Sequence, residues 1–289
     1  MFRFQCAVGV LLVAALALGR AAGDDTFDLR GPGPQKGQVL VAKTTLTVRD
    51  ADTVMKAGAE SVKLKLTLVA TLEEEVTVLE VNGRDVTKCL TRVLKDRVET
   101  SGADKELAHT ETSALERETI ASTRDGQKWT HAIVDGRPTE KQKKQLDDRP
   151  EIETDDDLFP KEKVKVGHAW TADAVGINRA LGNALVDVKG KLDQKFVRVE
   201  ELDGEKVAVV ESAGKITGKM RDDGAPTLDA AIELKQTAWK SLKTGVVIRV
   251  KIEGKISLSG TVKDGDNKTE LILTGPISGE TTTKWVEKK

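Results

Sequence analysis

The sequence predicts a mainly β protein: a large curved antiparallel sheet, either a half-barrel or a sandwich, with one or two short helices. Three observations carry that prediction. Apolar and polar residues alternate with period two over long stretches, Asn-Gly and Asp-Gly pairs fall between those stretches, and segments with helical spacing are few.

The clearest alternation is SVKLKLTLVATL, where Val62, Leu64, Leu66, Leu68, Ala70 and Leu72 share one face and Lys63, Lys65 and Thr67 the other. Successive strand side chains point to opposite faces, so this is a half-buried strand. Before it, Leu40, Ala42, Thr44, Leu46 and Val48 share one parity. After it, EEVTVLEVNGRDVTKCLTRV reads strand, Asn82-Gly83, strand; Asn-Gly favours a two-residue turn with φ > 0 at both central positions. Asp203-Gly204 divides QKFVRVEELDGEKVAVVES in the same way, and Asp125-Gly126, Asp135-Gly136 and Asp264-Gly265 punctuate similar segments. In the last third Ile248, Val250, Ile252, Ile256 and Leu258 share a face, with Leu271 and Leu273 following the next turn. Links this short join antiparallel neighbours only, which makes the region a meander.

Two helical signals remain. Pro138 and TEKQKKQLDD have a helix-forming composition with Leu146 as the sole apolar anchor, giving a short exposed helix. Ile177, Leu181, Leu185 and Val188 have helical spacing, but Gly182 and the β-branched tail favour a strand equally.

Residues 1–23 read as an export signal, with Arg3 at the start, an apolar run from Ala7 to Leu18, and Ala21-Ala22-Gly23 as a small-residue cleavage site. The run falls short of the roughly 20 apolar residues a membrane span requires, so no span is expected once the signal is cleaved. Residues 24–37, rich in Pro and Gly, are expected to be a linker. Residues 38–289 form the β-rich domain, read as two halves meeting near 150–170. The centre of that junction is FPKEKVKVGHAW, Phe159–Trp170, an extended segment, a turn at Gly167, and a new strand anchored by Trp170.

The chain has 46 basic and 47 acidic residues. Without Arg3 and Arg20, the only charges of the signal, its net charge is −3. That balance argues against nucleic-acid and anionic-membrane binding, which use clustered positive charge. Cys89 is then the only cysteine, so no internal disulfide forms, and its mid-strand position makes it a core residue.

No catalytic motif is present. His109, His131 and His168 lack metal-ligand spacing, Ser257 and Ser259 lie in a strand rather than a nucleophile elbow, and no phosphate-binding glycine loop occurs. The acidic run Glu151–Asp157 lacks the spacing of a calcium loop and reads as a solvated loop. No metal and no cofactor is expected. Trp129, Trp170, Trp239 and Trp285 stand in strand contexts. Large aromatics usually fill a core; where a sheet face is hollow, Trp129, Trp170 and Trp239 are the ligand-binding candidates.

Pro160, Val164, Val166, Gly167 and Trp170 make a P-x-x-x-V-x-V-G-x-x-W element, followed later by a Thr244-Gly245 turn opening a strand pair. In this respect the chain resembles a family of exported bacterial β-rich proteins without an assigned activity. The resemblance implies a curved antiparallel sheet similar to periplasmic lipoprotein-carrier-like proteins, wrapped around helices or a lipid. His168 stands where members of that family often have an acidic residue, so an acid or metal role implied there does not carry over directly to this chain.

These readings together give an exported, non-enzymatic β protein of the periplasm or the extracellular space. It is expected to bind or carry a lipid or another apolar ligand, or to bind an envelope partner. The alternatives are a structural or interaction protein of the cell surface and, third, a hydrolase whose site is assembled from scattered acids and His168.

Overall fold

In the computed structural model the described residues are 25–102, 107–126, 128–149, 152, 155–173, 176, 185–220, 228–264 and 267–286. The expected signal, residues 1–23, and most of the ambiguous segment before Val186 lie outside them. Among the described residues twelve strands follow one another: β1 (Val39–Ala57), β2 (Glu60–Asn82), β3 (Asp85–Gly102), β4 (His109–Thr112), β5 (Thr119–Asp125), β6 (Lys128–Ile133), β7 (Ala169–Asp173), β8 (Leu185–Leu202), β9 (Glu205–Met220), β10 (Leu228–Ser241), β11 (Val247–Asp264) and β12 (Asn267–Val286). A single α-helix among the described residues, α1 (Glu140–Asp147), and a 3₁₀ turn at Asp155–Leu158 lie between β6 and β7.

All strands join one open, curved antiparallel sheet that does not close into a barrel. Its order is β6-β5-β3-β2-β1-β12-β11-β10-β9-β8-β7, with β4 beside β3. The first half therefore runs from the centre to one edge, and the second returns from the other edge to the centre. There β1 and β12 pair along nearly their whole length. Residues 134–168 connect the two edge strands.

The turn between β8 and β9 falls where the sequence placed it, whereas that between β2 and β3 lies one residue later than expected: Asn82 ends β2 paired with Asp85, and Gly83, with φ 61°, and Arg84 make the turn. Asp203 and Gly204 both have positive φ, 52° and 79°, as a two-residue turn between β8 and β9 requires. At α1 the cap is Thr139: its hydroxyl accepts from the Gln142 backbone, while the Gln142 side chain accepts from the Thr139 N–H. As expected, Leu146 supplies the apolar anchor, packed with Val93, Leu115 and Ile120.

On β9 Val207, Ala208, Val209 and Val210 are all buried, but along β11 and β12 burial alternates from residue to residue, and that parity, followed through the register, defines the inner face. One register row across it reads Leu192, Gly214, Leu234, Gly254, Ile277, Val48, Leu68. Large residues alternate with glycine because the curled strands bring backbones very close. A Cβ on Gly214 would stand 2.1 Å from the Lys191 carbonyl oxygen, and one on Gly254 2.0 Å from that of Glu233. Glycine at these inward positions is what lets the sheet curl.

The segment 25–37, expected to be a linker, is packed where it precedes β1. Leu29 is 1 % exposed, Phe27 meets Phe196 edge-to-face at 5.6 Å, and Phe27 pairs with Val164 through two backbone hydrogen bonds. Burial of these apolar groups outweighs the chain flexibility that Pro and Gly suggest.

Candidate functional site

The inner face is the candidate site, and it has two chemically distinct regions. On β8–β12 it is apolar: Leu234, Ala238, Val250, Ile252, Ile256, Leu258, Leu271, Leu273 and Ile277 are all buried in one cluster. Leu158, from the 3₁₀ turn between the edge strands, packs against this cluster and against a second one containing Phe159, Val164 and Phe196.

Leu158 and Phe159 are held there by polar contacts. The Leu158 carbonyl oxygen accepts from Trp170 Nε1 at 2.9 Å and from Gln194 Nε2 at 2.8 Å. Lys240, 1 % exposed on the inner face of β10, places Nζ 4.1 Å from the centre of the Phe159 ring. Asp156 binds the Arg84 guanidinium through both carboxylate oxygens, with Arg30 Nη1 3.7 Å away. Arg84, beside Gly83 in the β2–β3 turn, also donates to the carbonyls of Gly31 and Arg30. One carboxylate thus ties the β2–β3 hairpin, the lead-in and the inter-edge segment together. Burial would raise the Asp156 pKa, but the Arg84 hydrogen bonds and the charges of Arg84, Arg30 and Lys240 outweigh it and lower the pKa. The acidic run was expected to be solvated; Asp156 is instead largely buried because it has these cations to satisfy.

Toward β3, β5 and β6 the inner face also carries a polar network, beside the small apolar cluster of Val93, Ile120 and Leu146. Cys89, Ser122 and His131 lie side by side on β3, β5 and β6. Ser122 Oγ and His131 Nδ1 are 2.9 Å apart, and Arg149 Nη2 donates to Glu74 Oε1 at 2.8 Å. Burial, with a smaller contribution from Arg149, lowers the His131 pKa to about 4, so its ring is neutral near pH 7. Burial also pushes the Cys89 thiol and the Asp96 carboxyl up. Ser122 is buried and hydrogen-bonded to His131, and this neighbourhood has the character of a satisfied structural network. Its members sit thirty or more residues apart in pairs such as Cys89 and Ser122, so only the strand pairing assembles them.

The three candidate tryptophans are not gathered at one place. Trp129 is buried on the inner side of edge strand β6, its ring nearly parallel to His131 at 6.3 Å. Trp170 is on the opposite edge strand, stacked with His168 at 5.8 Å and bonded to Leu158. Trp239 faces outward on β10, where Nε1 donates to Glu200 at 2.6 Å and Arg249 lies over the ring at 5.5 Å. No group of three or more metal-ligating side chains occurs among the described residues.

Sequence reasoning missed the inward glycines and the Asp156 clasp. Gly214, Gly254, Gly275 and Gly279 share the parity of the buried residues. That parity was the readable sign of a curled face.

The apolar face emerges from cover at the free end of β1 and β2. Leu64, Leu66 and Leu68 are half-buried, and Met55 and Val62, directly opposite each other, are 37 % and 55 % exposed.

No protein-family model matches the chain, and no sequence of a curated protein does. The motif Pro160–Trp170 therefore remains a resemblance. Among solved structures, the chain is similar to an outer membrane channel from Pseudomonas putida F1, at 10 % identity and TM-score 0.24, covering 92 % of this chain and 100 % of that one. It is also similar to a putative outer membrane lipoprotein-sorting protein domain from Vibrio parahaemolyticus, at 11 % identity and TM-score 0.15, covering 86 % and 87 %. A third is a DUF1329 family protein from Desulfovibrio piger, at 8 % identity and TM-score 0.19, covering 86 % and 84 %. At these scores the likenesses carry no argument about what this chain binds.

Proposed function

We propose that the protein is an exported, non-enzymatic β protein that binds or carries an apolar ligand, such as a lipid, along the inner face of its sheet. The observation supporting this is the apolar strip that leaves the buried wall and becomes solvent-exposed at Met55 and Val62. An open curved sheet with an apolar inner wall suits an elongated apolar guest, which would enter from that end and displace water from Leu64, Leu66 and Leu68.

N-phenyl-1-naphthylamine fluorescence, with native mass spectrometry of the gently purified protein, tests the reading. Dye emission should rise on binding, and Val62→Asp should weaken binding about tenfold or more, because a carboxylate placed in an apolar site costs well over 1 kcal/mol. A bare mass together with no dye response would overturn it. That result would instead favour an interaction protein of the cell surface, a reading supported by the close burial of Leu234, Ile252, Ile256 and Ile277 against one another.

A further inference from the structure

The apolar wall carries one polar row. In register across β8, β9 and β10 stand Gln194, Ser212 and Gln236, followed on β11 by Ile252. All three polar side chains are buried, and the first two are satisfied: Ser212 Oγ donates to Gln194 Oε1 at 3.1 Å, and Gln194 Nε2 donates to the Leu158 carbonyl at 2.8 Å. Gln236 differs. It is 6 % exposed, and its Oε1 has no hydrogen-bond partner among the described residues. Gln38 Nε2 shares that condition, but in the turn before β1 rather than on the wall.

A buried acceptor without a partner is destabilising, and a leucine there would continue the apolar wall of Leu234, Ala238 and Ile252 without that cost. The acceptor sits on the wall proposed above to hold the ligand, at the far end of the row whose Gln194 anchors Leu158.

We propose that Gln236 Oε1 is the specificity-determining contact of the ligand site, accepting a hydrogen bond from the polar end of an amphiphile. This rests on the carrier reading and narrows the ligand class. The ligand has a long apolar chain and an uncharged N–H or O–H donor, as in a fatty amide, a fatty alcohol or a monoacylglycerol. A hydrocarbon or a simple ester leaves the acceptor unsatisfied, and a fatty carboxylate sets negative charge against it.

The test compares oleamide with methyl oleate, which share one chain and differ in the donor. Displacement of N-phenyl-1-naphthylamine should show oleamide binding roughly five- to tenfold tighter to the native protein, the worth of one buried hydrogen bond. Gln236→Leu should bind both probes equally, with methyl oleate within about twofold of native; its urea midpoint and circular dichroism establish that it folds. Equal binding of the two probes by the native protein overturns the assignment and leaves the carrier reading standing, whatever becomes of the variant. A folded Gln236→Leu that still prefers oleamide does the same. Failure of the native protein to bind either probe overturns both.

Discussion

The two halves of the inner face solve the same problem with opposite chemistry. One register row shows the change: Phe196, Val210, Ala238 and Val250 come from the second half, Thr281 and Thr44 meet at the central seam, and Leu72 and Asp96 follow in the first. At the seam the two threonine hydroxyls hydrogen-bond at 3.0 Å. Beyond it the face carries Glu74, Arg149, Ser122 and His131, paired with one another. Apolar burial is non-directional, so the second half tolerates displacement by any guest of suitable shape. The polar half has one arrangement that satisfies its groups, and departures from it leave buried atoms unpaired. The apolar wall, with its exposed margin on β1 and β2, is therefore suited to binding, and the polar network to fixing the shape of the sheet.

The largest expected effect breaks the apolar side. Phe196 is fully buried, meets Phe27 edge-to-face and lies in the cluster of Phe159 and Val164. Phe196→Ala should destabilise the protein by about 3–5 kcal/mol in urea titration; a loss below about 1 kcal/mol would mean that this cluster is not part of the cooperative core. Next is the clasp between the halves. Asp156→Ala leaves the Arg84 and Arg30 charges partly buried without their carboxylate, an expected cost of about 2 kcal/mol. Hydrogen exchange should rise at residues 27–31 and around Leu158, and unchanged protection there would show that packing alone seats the segment.

The smallest effect separates the halves by pH. The folded-state pKa of His131 lies at about 4, below its ordinary 6.5, chiefly through burial. The unfolded chain takes up the proton first, so the stability this group supports is present above about pH 6.5 and is lost as the pH falls toward about 4. In a half-buried site the loss should be about 1–2 kcal/mol. His131→Gln, which keeps a partner for Ser122, should flatten that part of the stability profile; an unaltered profile would place the acid sensitivity elsewhere.

How much could be read in advance follows from the range of each interaction. Alternation from Val62 to Leu72 and the Asp203-Gly204 turn are local, and both appear as expected. The helix was visible in its composition, and its cap lies one residue past Pro138, at Thr139. The lead-in was misjudged because Phe27 finds partners more than a hundred residues away, at Val164 and Phe196, and Leu29 is buried in the same cluster. Asp156 was indistinguishable from its acidic neighbours, since only the fold brings Arg84 to it. The tryptophans were grouped by residue type, whereas strand order assigned Trp129 and Trp170 to opposite edges and strand parity turned Trp239 outward.

By itself the sequence determined that the chain is a mainly β meander, because side-chain alternation and turn geometry act over a few residues and need no partner. Tertiary structure alone decided that β1 and β12 meet at the centre, that the sheet curls over inward glycines, and that the inner face divides into an apolar wall and a polar network. Those depend on which strands pair and in what register, and a shift of one residue would send every buried side chain to the other face.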